Sequence, residues 1–274
     1  MGDTKPDKLG AIQATLFIPL AARARATRGR HPLLHDPKSV EVMAAAPADS
    51  AYDYGRGGVW VSVVRTLIFD WWVRRFLAEH PAGTVVELGT GLNSRFERTD
   101  NGTVHWIDLD LPDTIALRRR YFADTGRRQM VEASLTSEEW LGAVAELPGP
   151  YFFVSDGVLT YLSDAEVTAS LTRIAERFPG ALLAFDMYAR RTFAGQHKSA
   201  ARRGIDAPWT WGCDDPRELE PCGLRVVESA AITRPPHGLR AELPARYRWL
   251  ILPLLDPVFG KSAARLALFR AGSA

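Results

Sequence analysis

The run Val85-Val86-Glu87-Leu88-Gly89-Thr90-Gly91-Leu92-Asn93-Ser94-Arg95, with Val104-His105-Trp106-Ile107-Asp108-Leu109-Asp110 behind it, admits few folds. A β-rich apolar stretch enters a glycine turn, and a second apolar stretch ends in carboxylates. Such a pair reads as two parallel strands whose carboxyl ends meet a nucleoside, the glycines giving the backbone room to turn and come close to it. Asp108 and Asp110 both qualify for the two ribose hydroxyls, because alternate residues of a strand face the same way and a carboxylate accepts at both oxygens.

Charge selects the nucleoside. A dinucleotide fingerprint needs G-x-G-x-x-G and a helix N-terminus for the pyrophosphate. Here Gly89-Thr90-Gly91 continues into Leu92-Asn93-Ser94 without a third glycine. Glu87, at the end of the first strand, would repel a phosphate and suit a cation. S-adenosylmethionine (SAM) carries a sulfonium and an ammonium and no phosphate, so it fits better than NAD. Gly89, Thr90 and Gly91 are expected along its amino-acid half, with Glu87 near the ammonium.

The 274 residues are 46% hydrophobic and 24% charged, which supports a large core in an ordinary globular enzyme. A net charge of +2 compels no nucleic-acid partner. Arg118-Arg119-Arg120 and Arg127-Arg128 read as a solvated face. Cys213 and Cys222 make neither a disulfide framework nor a metal set, which suits a reduced, cytoplasmic chain. No signal peptide is visible, and Leu250-Ile251-Leu252-Pro253-Leu254-Leu255 is too short to span a membrane.

Residues 1–82 read as a helical cap, in which Leu9, Ile12, Leu16 and Leu20 recur at helical spacing and a second helix runs from about Ser62 to Leu77. Residues 83–274 form the core. Strands are expected over Thr84 to Leu88, Thr103 to Asp108, Gln129 to Ala133, Tyr151 to Asp156 and Ala181 to Asp186, alternating with helices. Ser163-Asp164-Ala165-Glu166 reads as a capping box for the helix that ends near Phe178. Val226 to Thr233 and Arg265 to Phe269 look like a closing strand pair. The expected fold is α/β, a Rossmann-like class I methyltransferase with a seven-stranded, mostly parallel sheet. Insertions at about 190–212 and 234–262, the second holding a helix from Arg240 to Leu255, are expected to form a lid.

Three stretches resemble the leucine carboxyl methyltransferase family, in its bacterial branch acting on polyketide intermediates: Glu87 to Arg95, Asp108-Leu109-Asp110-Leu111-Pro112, and Asp156-Gly157-Val158-Leu159-Thr160-Tyr161-Leu162. The likeness runs from Leu34-His35-Asp36-Pro37 to the end and includes Phe185-Asp186 and Cys213 to Leu219. It implies that Asp110, ahead of Asp108, holds the ribose. It implies also that Arg65, with an arginine of the Arg23/Arg25 pair, here Arg25, meets the cofactor carboxylate through its two-pronged fork. Ser134-Leu135 would lie at the adenine, where the family has Asp-Leu, and Asp156 stands where relatives carry glutamate.

The resemblance implies a SAM-dependent O-methyltransferase forming the methyl ester of a small polyketide-like or aromatic acid. A carboxylate with a pKa of about 4 is already ionised at neutral pH, so the enzyme has only to align it in a dry site. Asp156, Tyr161 and Tyr188 are the positioning candidates, and Tyr188, Arg191, His197, Trp209, Trp211 and Tyr247 are expected around the acceptor. A phenolic or enolic hydroxyl is the alternative acceptor, with His197 or His237 as its base. A third reading is a relative that binds the donor without methylating, as a cyclase, a decarboxylase or a structural protein. No metal, nucleic acid or membrane is expected as a partner, and the chain is expected as a monomer or homodimer.

Overall fold

The structure is a computed structural model that describes residues 13–46, 55–201, 207–259 and 265–272. Leu9 and Ile12 of the expected first helix, and Arg202 and Arg203 of the expected lid, lie outside the described residues.

Before the first strand come α1 (Phe17–Thr27), α2 (Pro37–Ala45) and α3 (Gly55–Glu79). The core follows as β1 (Thr84–Leu88), α4 (Arg95–Thr99), β2 (His105–Asp110), α5 (Pro112–Arg118), β3 (Arg128–Glu132), α6 (Glu139–Ala145), β4 (Tyr151–Ser155), α7 (Asp164–Arg177) and β5 (Leu182–Met187). The closing part holds α8 (Phe193–Ala201), β6 (Leu224–Ala231), α9 (His237–Glu242), a π-helical turn over Tyr247–Ile251, α10 (Leu252–Phe259) and β7 (Arg265–Ala271). The strand order is β3-β2-β1-β4-β5-β7-β6. Strands β1 to β5 pair in parallel, and β7 runs antiparallel to both β5 and β6. This is the class I methyltransferase architecture.

Period-two alternation divides the core between the two sheet faces. Val85, Trp106, Phe152, Val154, Ala184, Leu266 and Leu268 pack against α3 through Ile68, Trp72, Val73 and Phe76. Val86, Ile107, Phe153, Leu183, Phe185, Ala267 and Phe269 pack against α6 and α7 through Trp140, Val167, Leu171 and Ile174. Both faces are covered, so the strands read as nearly continuous apolar runs. The capping box forms in both directions between Ser163 and Glu166.

Small boundary shifts matter at the carboxyl edge. β2 begins and ends two residues later than the sequence suggested, which makes Asp110 its last residue. β3 ends at Glu132 and β4 at Ser155, so Ser134, Leu135 and Asp156 stand just beyond strand ends. No helix among the described residues is long and apolar enough to cross a membrane.

Candidate active site

Where the strand order reverses between β1 and β4, the carboxyl edge of the sheet opens into a cavity of about 530 Å³. One wall is the start of α1 with Leu16 before it. A second is α3 from Gly57 to Arg65, and a third is α8 together with Ala207 and Trp209. Gly89, Asp110, Ser134, Leu135 and Asp156 supply the floor from the strand ends.

Asp110 lines this cavity while gripping the glycine turn: Oδ2 accepts the Gly91 N–H at 2.7 Å and Oδ1 the Leu111 N–H at 2.8 Å. Burial raises its pKa against the pull of those two N–H donors. Gly89 has φ +69°, and a Cβ there would come within 2.4 Å of Val158, itself a lining residue. The turn therefore tolerates only glycine at that point.

Asp108 belongs elsewhere. It is buried and accepts from Thr90 Oγ1 at 2.8 Å, Trp106 Nε1 at 3.1 Å, Arg118 Nη2 at 3.1 Å and Arg128 Nε at 2.5 Å. Burial opposes its ionisation, yet the Arg118 and Arg128 guanidiniums outweigh it and hold the carboxyl below the usual range. Arg118 also donates to the carbonyls of Gly91 and Asn93, so this inner ion cluster clamps the turn from behind. Arg118 and Arg128 are 1% and 2% exposed, which corrects their reading as a solvated face. Arg119 and Arg120 are exposed as expected. Thr90 and Gly91 support the turn through these contacts and do not line the cavity.

Glu87 is corrected in the same way. It accepts from Arg95 Nη1 and from Asn93 Nδ2 and does not reach the cavity. Its Oε2 is buried without a hydrogen-bond partner, and burial pushes its pKa up to about 7 in spite of the Arg95 charge. The fold thus takes up a proton that the unfolded chain, at 4.5, has released, and stability falls as pH rises from about 4.5 to about 7. Glu87→Gln is expected to abolish that slope, gaining up to about 3 kcal/mol more over wild type at pH 8 than at pH 4. Denaturant titrations at the two pH values check this; an unchanged difference between the proteins contradicts it.

Arg65 reaches the cavity from α3. Its Nε lies 2.7 Å from Asp156 Oδ1 as an ion pair, and its Nη1 donates to Asp186 Oδ2 and Tyr188 Oη, each at 3.0 Å. Asp186, at the end of β5, also accepts the Gly157 N–H at 2.7 Å, so it ties Arg65 to the turn after β4. Asp156 continues the chain of ions to Arg95 at 3.2 Å. Arg95 and Arg98 share Asp70, and Arg98 and Arg23 share Asp36. The buried chain thus links α1 to β5 behind the site. Within it Arg23 is only 1% exposed and also donates to the Leu92 carbonyl at 3.0 Å, whereas Arg25 is exposed and outside the cavity. Neither member of that pair lines the cavity, because the helical period turns one inward to structure and the other outward.

The adenine-side candidates line the cavity just past β3. Ser134 Oγ is engaged with Thr136 Oγ1 at 2.8 Å, and Leu135 presents an apolar side chain.

On the acceptor side, Tyr161, Tyr188 and Trp209 line the cavity together. The Tyr188 and Trp209 rings lie 4.0 Å apart at 40°, and burial followed by the Asp186 charge raises the Tyr188 phenol above its ordinary pKa. The other candidates do not line it. His197 Nε2 donates to the Trp209 carbonyl at 3.0 Å, Trp211 is buried edge-on to Phe185, Arg191 is exposed, and Tyr247 packs against the α3 side of the core. The described part of the second insertion likewise contributes nothing to the cavity wall, whereas α8 of the first does.

Several lining residues escaped sequence reasoning, two of them with a buried polar atom left unpartnered. Ser62 lies one helical turn before Arg65, its hydroxyl buried without a partner. Gln196 on α8 has a buried, unpartnered Oε1. Both are ordinary polar residues in helices, and only their shared cavity marks them.

The charged side chains lining the cavity, among the described residues, are Arg65, Asp110 and Asp156. An excess of carboxylate with one arginine suits a ligand that joins a cation to a carboxylate, as SAM does. The same residues show no cluster suited to a metal ion.

The chain matches the family model described as leucine carboxyl methyltransferase over residues 17–175. It is 34% identical over 236 residues to the tetracenomycin polyketide synthesis O-methyltransferase TcmP of Streptomyces glaucescens, covering 83% of this chain and 85% of that one. It is 27% identical over 243 residues to the S-adenosyl-L-methionine-dependent methyltransferase dpfgK of Gibberella zeae, covering 77% and 78%. Among solved structures, a DUF574 family protein from Streptomyces avermitilis shares the fold with a TM-score of 0.56 at 14% identity, covering 94% of this chain and 96% of that one.

Proposed function

Because the chain belongs to the leucine carboxyl methyltransferase family, we propose that it esterifies the carboxylate of a small polyketide-like aromatic acid with the methyl group of SAM. Methyl transfer and dependence on SAM follow from that membership. The observation that carries the choice of acceptor is the absence of a poised base among the described lining residues. The charged groups there are Arg65, Asp110 and Asp156, and Asp156 is held between two arginines. His197 is turned to the Trp209 carbonyl. An acceptor that is already an anion needs no base. The name of the Streptomyces glaucescens relative supports a polyketide acceptor and transfer to oxygen.

The cofactor supplies an electrophilic methyl group on a sulfonium. Asp110 would accept the ribose hydroxyls, and Arg65 with the Ser62 hydroxyl would meet the methionyl carboxylate from one face of α3. Leu111 and Leu135 offer apolar surface to the adenine, and Gly89 leaves the backbone open along the amino-acid half. Tyr188 and Trp209 would orient a flat acceptor and keep water from it, which is the main contribution a displacement of this kind requires.

Two rate measurements test the acceptor. His197→Ala should keep most of the activity, and the methylation rate should stay flat from about pH 6 to 9, because a carboxylate of pKa about 4 does not titrate there. Near-complete loss in the variant together with a rate climbing toward the phenol range near pH 10 would replace the carboxylate with a hydroxyl.

A further inference from the structure

We propose that the acceptor carries, apart from the oxygen that is methylated, a hydrogen-bond donor held by the side-chain amide of Gln196, so that the substrate class is a hydroxyaryl acid or its N–H counterpart. The inference rests on the carboxylate reading above and deepens it.

Gln196, Ser199 and Ala200 recur at i, i+3 and i+4 on α8 and share the face that the helix turns to the cavity. Thr160, Tyr161, Tyr188 and Trp209 line the same cavity. Two tethers fix the spacing of this chamber. His197, the residue after Gln196, donates to the Trp209 carbonyl at 3.0 Å, and the Thr210 N–H donates to the Thr160 carbonyl at 2.8 Å. Gln196 is therefore anchored by its neighbour against the aromatic wall, while its own Oε1 is buried with no partner among the described residues.

A buried amide oxygen without a donor is costly, and the cost is recovered when a ligand supplies one. With Oε1 facing the ligand as it stands, the matching group is one that donates, which an ionised carboxylate does not. A hydroxyl or N–H elsewhere on the acceptor does. The same donor would fix the acceptor's register over the Tyr188–Trp209 pair, and a site built to bond a hydroxyl rejects the analogue lacking it far more strongly than an apolar slot rejects a size change.

The test uses the full chain with SAM and three sets of probes: positional isomers of hydroxynaphthoic acid, naphthoic acid itself, and the matching methoxynaphthoic acids. At least one hydroxy isomer should exceed both partners in kcat/KM by roughly tenfold or more, and Gln196→Met should erase that preference. Affinity for S-adenosylhomocysteine should not change in the variant. Equal rates for hydroxy, methoxy and unsubstituted acids in wild type, or a preference that survives Gln196→Met, would overturn the proposal. A loss of S-adenosylhomocysteine affinity with the acceptor preference intact would do the same by giving Gln196 to the cofactor. If no probe turns over, calorimetric binding of the same probes to the S-adenosylhomocysteine complex reads the preference, and its absence overturns the proposal equally. Ether in place of ester among the products would instead contradict the carboxylate reading and leave the Gln196 preference to be judged by the rates.

Discussion

Asp110→Ala is expected to weaken SAM binding by roughly thirty- to hundredfold, about 2–3 kcal/mol, the range for losing two hydrogen bonds to a charged group. Asp110 is the carboxylate at the end of β2 that lines the cavity. Its two backbone bonds, to Gly91 and Leu111, fix it and also shape the turn, so a modest loss of stability accompanies the loss of affinity. Asp108→Ala is the informative contrast. That carboxylate is the shared counter-ion of two buried arginines, so its removal should unfold the protein at lower denaturant. Calorimetric titration with S-adenosylhomocysteine separates the cases. Unchanged affinity in Asp110→Ala would move the ribose to another residue.

The second large effect is expected from Arg65→Leu. Two buried carboxylates, Asp156 and Asp186, lose a counter-charge together, and Asp186 is left with the Gly157 N–H and Tyr188 as its nearby partners. Breaking a buried pair from one side costs about 3–5 kcal/mol, because the remaining charge stays desolvated. Affinity for SAM should fall as well, through the methionyl carboxylate. Adding Asp186→Asn should recover part of the stability and none of the affinity, which distinguishes the structural from the binding role. A phenotype confined to acceptor KM, with S-adenosylhomocysteine affinity intact, would remove Arg65 from the cofactor site.

What could be read in the sequence was local chemistry in a fixed order. The glycine turn between β1 and α4, the acid closing β2, and the Ser163–Glu166 capping box are each written within a few adjacent residues, and each forms. Pairings between distant residues were not legible. Glu87 and Asp108 are as acidic as Asp110, but Arg95 takes the first and Arg118 with Arg128 the second, arginines whose approach depends on the folded sheet. The same event hides those arginines from solvent, so a basic run that reads as surface is interior. Trp209 and Trp211 sit two apart in an irregular segment with no period to separate cavity from core. Ser62 and Gln196 have nothing in their neighbourhoods to announce them; their meaning comes from a cavity enclosed by stretches far apart in the chain.

The chain should be incubated with SAM carrying a deuterated methyl group and a panel of aromatic polyketide-type acids, and the products read by mass spectrometry beside the same acids esterified beforehand. The proposed function predicts transfer of one labelled methyl group to the free acid as an alkali-labile ester, and none to the blocked one. Labelled methyl on the esterified compounds, surviving alkali as an ether, would contradict the carboxylate assignment.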